Sequence, residues 1–252
     1  MNLLVGVGVG PGDPDLVTVR AVRVLSTADV ILVPDTAGNS SRGQAAATDV
    51  GRAEAIVRAC APDTSARIVR VPFSMGDPTG VTPRRAAAWA ASAEATVAAF
   101  ESGASVVAFA TIGDPSVYST FSYLAASVQD RLPQVTVEVV PGITAMQALA
   151  AASRTPLVEG DEILALVPLK DGVDGFRAAA AVADTVVVYK AGRHLAALRG
   201  ELAGTAAGAR AIAGVDVGLP AEQVGRLDEL QSAPYFTTII CSPDRGEMGG
   251  RL

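Results

Sequence analysis

The feature that most constrains this chain is its opening run. Leu3–Val9 is apolar and β-branched with glycines interspersed, and Gly10-Pro11-Gly12-Asp13-Pro14 stops it at once. A continuous apolar run ending in a glycine turn is the pattern of a strand covered on both faces, as in a parallel sheet. Asp13 suits a helix N-cap and Pro14 the first helical position. Val17, Ala21, Val24, Leu25 and Ala28 then recur with helical spacing, and Val30–Val33 is a second buried strand. Strand, glycine turn, helix and strand make a βαβ unit.

The device recurs. Ser105–Ala110 is a buried strand, Gly113-Asp114-Pro115 a turn, and Val117, Phe121, Leu124, Ala125 and Val128 form an apolar helical stripe. Ala86–Phe100 is an alanine-rich helix carrying the only tryptophan, Trp89. Val135–Val140 is a strand stopped by Pro141-Gly142. Further strands are expected over 162–167, 185–189, 210–217 and 236–241, with short helices over 143–153 and 193–203. The polar stretch 35–52 and the segment 72–83 read as loops. This organisation predicts an α/β protein of two α/β domains, 1–132 and 133–252.

Composition excludes several classes. The net charge of −6 and the lack of a basic, aromatic-interleaved patch argue against nucleic acid or an anionic membrane as partner. No apolar run reaches the roughly 20 residues of a membrane helix. Met1-Asn2 lacks a basic segment before the apolar run, so this stretch reads as a strand and not an export signal. Cys60 and Cys241 stand outside any CxxC or Cys/His pattern and read as reduced thiols of a cytoplasmic enzyme. The single histidine, His194, excludes multi-histidine metal sites, and its neighbours suggest a capping role. No metal site is expected.

Three loops could carry chemistry. Gly8, Gly10, Pro11, Gly12 and Asp13 form the first, and glycines there would let a ligand or another backbone come close. A dinucleotide fingerprint would need glycine at position 11 or 13, which Pro11 and Asp13 occupy. The second is Thr111–Tyr118, at the carboxyl end of a strand, where open α/β sheets bind ligands. The third is Val140–Met146. Each alone is equally explained as a tight turn and capped helix.

Taken together and in order, VGVGPGDPDLVTVRAV with ADVILVP, GDPSVYSTFSYL and VVPGITAMQALAA resemble the tetrapyrrole methylase family. Within it, PFSMGDP (72–78), PLVEGDEIL (156–164) and PYFTTII (234–240) resemble the branch that methylates C20 of precorrin-2 or cobalt-precorrin-2. The resemblance implies two α/β domains with S-adenosylmethionine in a trough between them, S-adenosylhomocysteine as product, a tetrapyrrole substrate and a homodimer. It puts cofactor contacts on Thr111, Ile112, Gly113, Asp114, Val117, Thr144 and Ala145, then on Tyr189, Lys190, Gly214 and Asp216. Lys190 departs from the family, since a cation is unwelcome near a sulfonium. The resemblance turns the first loop, Gly8, Gly10, Pro11, Gly12 and Asp13, toward the substrate, with Asp13 the candidate proton-handling carboxylate. The alternatives are another tetrapyrrole methylase of the same pathway, a dinucleotide-dependent oxidoreductase, or a non-catalytic binding module.

Overall fold

A computed structural model describes residues 2–35, 50–72, 80–230, 234 and 236–246. The chain divides into two compact units, 1–144 and 145–252.

The first unit runs β1 (Leu3–Gly8), α1 (Val19–Thr27), β2 (Val30–Asp35), α2 (Arg52–Cys60), β3 (Arg67–Pro72), α3 (Pro83–Glu101), β4 (Val106–Thr111), α4 (Phe121–Arg131) and β5 (Thr136–Val140). Its strands form one parallel sheet in the order β3-β2-β4-β1-β5. Alternate residues supply two cores. Val5, Val7, Ile31, Val33, Ala108 and Ala110 pack with Leu25 of α1 and Ile56 and Val57 of α2. Leu4, Val30, Leu32, Val107 and Phe109 pack with Phe100 of α3 and Phe121, Leu124 and Val128 of α4. Both faces of the inner strands β1, β2 and β4 are dry, so these need apolar residues at nearly every position. Gly6 belongs to the second face: a Cβ there would lie 2.5 Å from the Phe121 ring, so that ring takes the space.

The second unit runs α5 (Ala145–Ser153), β6 (Leu164–Pro168), α6 (Asp174–Ala180), β7 (Thr185–Tyr189), α7 (Leu195–Leu202), α8 (Ala206–Arg210), β8 (Ile212–Val215), β9 (Gln223–Arg226) and β10 (Thr237–Cys241). Its sheet order is β6-β7-β10-β8-β9. Only β6 and β7 are parallel; β10 runs antiparallel to β7 and β8, and β9 antiparallel to β8. Val186, Val188, Ile239 and Cys241 pack against Phe176, Leu195, Leu198 and Leu202.

Several expectations shift. A boundary at 132/133 would cut off β5, but β5 pairs with β1 from Leu3↔Thr136 to Val7↔Val140, so the division falls after Thr144. Asp13 and Pro14 start a 3-10 turn over Pro14–Leu16, and α1 begins later, capped by the Thr18 hydroxyl accepting from the Ala21 amide at 3.1 Å. Helix α2, strand β3, helices α6 and α8 and strand β9 were not expected. Most of the polar stretch 35–52 and residues 73–78 of the PFSMGDP segment lie outside the described residues.

Candidate functional site

In the first unit the loops after β1, β4 and β5 meet at the carboxyl end of the sheet. They are the three loops singled out by sequence. Their contact is backbone on backbone, at three glycines. A Cβ on Gly8 would stand 2.6 Å from both the Gly113 carbonyl oxygen and the Gly142 nitrogen. One on Gly142 would stand 2.2 Å from that same oxygen and 2.8 Å from Gly8 Cα. The Gly113 amide donates to the Gly10 carbonyl at 2.7 Å, and Val9 to Thr111 at 2.9 Å. Gly10 and Gly113 take φ of 75° and 69°, a region that favours glycine. These glycines therefore admit neighbouring main chain, one of the two kinds of close approach expected of them.

Asp114 locks this joint. One carboxylate oxygen accepts from the Ser116 amide at 2.7 Å and the Ser116 hydroxyl at 2.6 Å; the other accepts from the Gly142 amide at 2.9 Å. Three of roughly four acceptor positions are filled. Burial pushes the carboxyl pKa up, but the bonds from Ser116 and Gly142 outweigh it and hold it below 3.8. Asp114 caps the 114–116 turn, and α4 starts only at Phe121. The Ser119 hydroxyl donates to Thr111 Oγ1 at 3.2 Å and accepts from the Phe121 amide at 3.2 Å. Ser119 was missed as a site residue; Ser116 and Gly142 fall in the second and third candidate loops but were given no role of their own.

Two near-buried hydroxyls, Thr111 and Thr144, stand on adjacent loops with Ile112 and Val117 nearby. A Cβ on Gly113 would meet only Thr144 Cα, at 3.8 Å, so that face of the turn is open. Hydroxyls, apolar side chains and an uncovered glycine face suit a ligand that is part amino acid and part nucleoside. In the first loop Gly8, Gly10, Pro11 and Gly12 are buried and Asp13 is half-buried. Asp13 Oδ1 accepts from the Asp15 amide at 2.9 Å, and Oδ2 has no partner among the described residues. The cap and an available carboxylate oxygen coexist.

In the second unit, strand register brings the other candidates into one row. Thr238 of β10 pairs with Tyr189 on one side and Gly214 on the other. The next turns hold Lys190 at φ 60° and Asp216 at φ 52°. Non-glycine residues there are strained, and such strain gathers at functional sites. Gly214 is hemmed in: a Cβ would lie 2.5 Å from Val217 and 2.7 Å from Leu149. Ala145, the remaining candidate, opens α5. His194 ends a 3-10 turn, and its Nε2 lies 3.0 Å from the Lys170 carbonyl. Both cysteines are free, and burial pushes the Cys241 thiol up to about 12. Among the described residues no three His, Cys, Asp or Glu side chains group as metal ligands.

The family model for Tetrapyrrole (Corrin/Porphyrin) Methylases matches residues 3–231. A precorrin-2 C(20)-methyltransferase of Sinorhizobium sp is 35% identical over 79% of this chain and 78% of its own. A cobalt-precorrin-2 C(20)-methyltransferase of Salmonella typhimurium is 29% identical over 94% of each chain. Among solved structures, uroporphyrin-III C-methyltransferase of Thermus thermophilus in complex with S-adenosylhomocysteine aligns with a TM-score of 0.62. It is 21% identical, over 96% of this chain and 92% of that one.

Proposed function

Because this chain belongs to the tetrapyrrole methylase family, whose members use S-adenosylmethionine, we propose that it methylates C20 of precorrin-2 or cobalt-precorrin-2 in cobalamin biosynthesis. The observation that carries the reading is the glycine joint. Gly8, Gly113 and Gly142 bring together the three loops the family uses, in one sheet, at the end where α/β sheets bind ligands.

When bound, S-adenosylmethionine supplies an activated methyl group. The protein's task is then alignment, which can contribute several kcal/mol. Thr111, Ile112, Gly113, Asp114, Val117 and Thr144 form the first-unit contact set. Ala145, Tyr189, Lys190, Gly214 and Asp216 form the second-unit set. Asp114 contributes through its main chain, since its carboxylate already binds Ser116 and Gly142. The first loop faces the tetrapyrrole. C20 of the reduced macrocycle is enamine-like and nucleophilic; once it has gained the methyl, its proton must leave. The free Oδ2 of Asp13 is the acceptor we assign.

The enzyme acts as a cytoplasmic homodimer in this reading. The exposed apolar side chains of Val139 on edge strand β5, and of Ile163 and Leu166 at edge strand β6, support association between copies. Light scattering on the purified protein measures its mass.

The deciding experiment incubates the protein with S-adenosylmethionine and each of the two substrates, followed by mass spectrometry and NMR of the product. One added methyl at C20 is expected. No methylation of either substrate would sink the reading, and a methyl at another carbon would move the chain to a different reaction of the same family.

A further inference from the structure

A cleft of about 470 Å3 lies wholly within the second unit, where α5, α8, β9 and β10 end and β8 begins. That volume is in the range of small-molecule sites. Four of its lining residues are arginines, Arg154, Arg210, Arg226 and Arg245, and no carboxylate lines it. The chain as a whole is acidic, at −6.

Three of the guanidiniums are anchored by carboxylates from outside the lining. Arg226 binds Asp228 through Nε and Nη2 at 3.0 and 2.9 Å, and the Ala209 carbonyl through Nη1 at 2.8 Å. Arg245 binds the buried Glu162 at 2.7 Å, and Arg210 pairs with Asp244. A guanidinium has five N–H donors, so each arginine keeps donors beyond those bonds. Arg154 has no ion-pair partner among the described residues.

Two observations separate this cleft from a chance gathering of arginines. Ser242 is 5% exposed, lines the cleft, and its hydroxyl has no hydrogen-bond partner among the described residues. Its oxygen is not sealed from solvent, so it opens onto the cleft and can donate there. Arg154 also sits at φ 56° just past the end of α5, where the Thr155 amide closes the helix on the Ala150 carbonyl at 2.9 Å. Helices favour glycine at that position. An arginine there strains the backbone and sets its side chain on the cleft. Thr155 adds a second hydroxyl, paired with the Ser153 hydroxyl at 2.9 Å.

We infer that this cleft is a binding site for a small molecule bearing two or more carboxylate or phosphate groups. Side-chain donors line it, and planar guanidiniums match oxyanions in pairs. The site is separate from methyl transfer, and its test does not depend on that activity.

The test is calorimetric titration of the intact protein at low ionic strength with sodium pyrophosphate and with sodium citrate, using sodium chloride at matched ionic strength as control. Saturable binding of either anion is expected, weakening as salt is added; pyrophosphate alone would identify a phosphate ligand, citrate alone a carboxylate. Arg154→Gly relieves the left-handed strain, so it should melt no lower than the wild type yet bind roughly tenfold more weakly, the usual loss for a charged hydrogen bond. Ser242→Ala should weaken binding while Arg131→Ala, on α4, leaves it unchanged. Absence of saturable heat with both anions, or equal affinity in Arg154→Gly and the wild type, would overturn the inference.

Discussion

The Asp114 carboxylate accepts a hydrogen bond from the Gly142 amide at 2.9 Å, although the residues lie 28 apart in sequence. This bond ties the turn after β4 to the turn after β5. Asp114→Asn keeps the shape but sets an amide against one of the two donor groups. Its effect should depend on pH. A carboxyl held below 3.8 in the folded protein stabilises it above that value, and the stabilisation is lost as pH falls through the folded-state pKa. Wild type should thus be more stable than Asp114→Asn near neutrality, with the gap closing in acid. Urea midpoints across that range measure it, and a gap independent of pH would refute the strut.

Gly8→Ala tests the glycine joint. The added methyl meets main chain on two loops at 2.6 Å, and neither can rotate away as a side chain could. Overpacking of this kind costs about 1–3 kcal/mol. The melting midpoint should fall, and S-adenosylhomocysteine should bind more weakly because the Gly113 and Gly142 turns are pushed apart. Affinity equal to the wild type in calorimetry would mean the joint does not hold the cofactor loops.

Asp13→Ala separates the two ligands. S-adenosylhomocysteine affinity should persist while turnover of the tetrapyrrole falls by about 10²-fold or more, in keeping with loss of a general base. A cap is also lost, at about 1 kcal/mol, so folding is checked by the thermal midpoint. Loss of cofactor affinity in a folded variant would reverse the assignment of the loops.

Glu54 is 2% exposed and accepts from Arg58 and Arg70, each at 2.7 Å at the closest. Burial pushes its pKa up, but the two guanidiniums prevail and hold it below 4.5. Glu54→Gln should lower the unfolding free energy by about 1–3 kcal/mol, because the arginines reach water and recover part of their solvation. Urea denaturation reads the change, and cofactor affinity should stay constant.

Much of the first unit was legible in sequence because its strands are dry on both faces. Leu3–Val9 and Val30–Val33 admit no other reading. Strand β3 was hidden because it lies at the sheet edge, with Arg67 and Arg70 interrupting its apolar residues. Helix α2 was hidden because its stripe includes a buried glutamate, whose partner Arg70 stands 16 residues on. The three site loops could be named from their residues, but their mutual contact could not. That Gly8 meets Gly113 and Gly142 depends on β1 lying between β4 and β5, which no local pattern carries. Lys190 and Asp216 could be named too, but not their positive φ, which is imposed by the turns after β7 and β8.

The central place of β1 also bears on how the unit is made. Leu3–Gly8 pairs only with Val106–Thr111 and Thr136–Val140, so its nearest partner is about 100 residues downstream. Whatever the order of synthesis elsewhere, this strand cannot be enclosed until β4 and β5 have been made. Until β4 arrives it offers two unpaired edges and two apolar faces. Such long-range pairing slows folding and exposes sticky surface meanwhile. Gly6, which makes room for the Phe121 ring, and Gly8, which lets the three loops meet, also lower the intrinsic strand preference of the nascent β1.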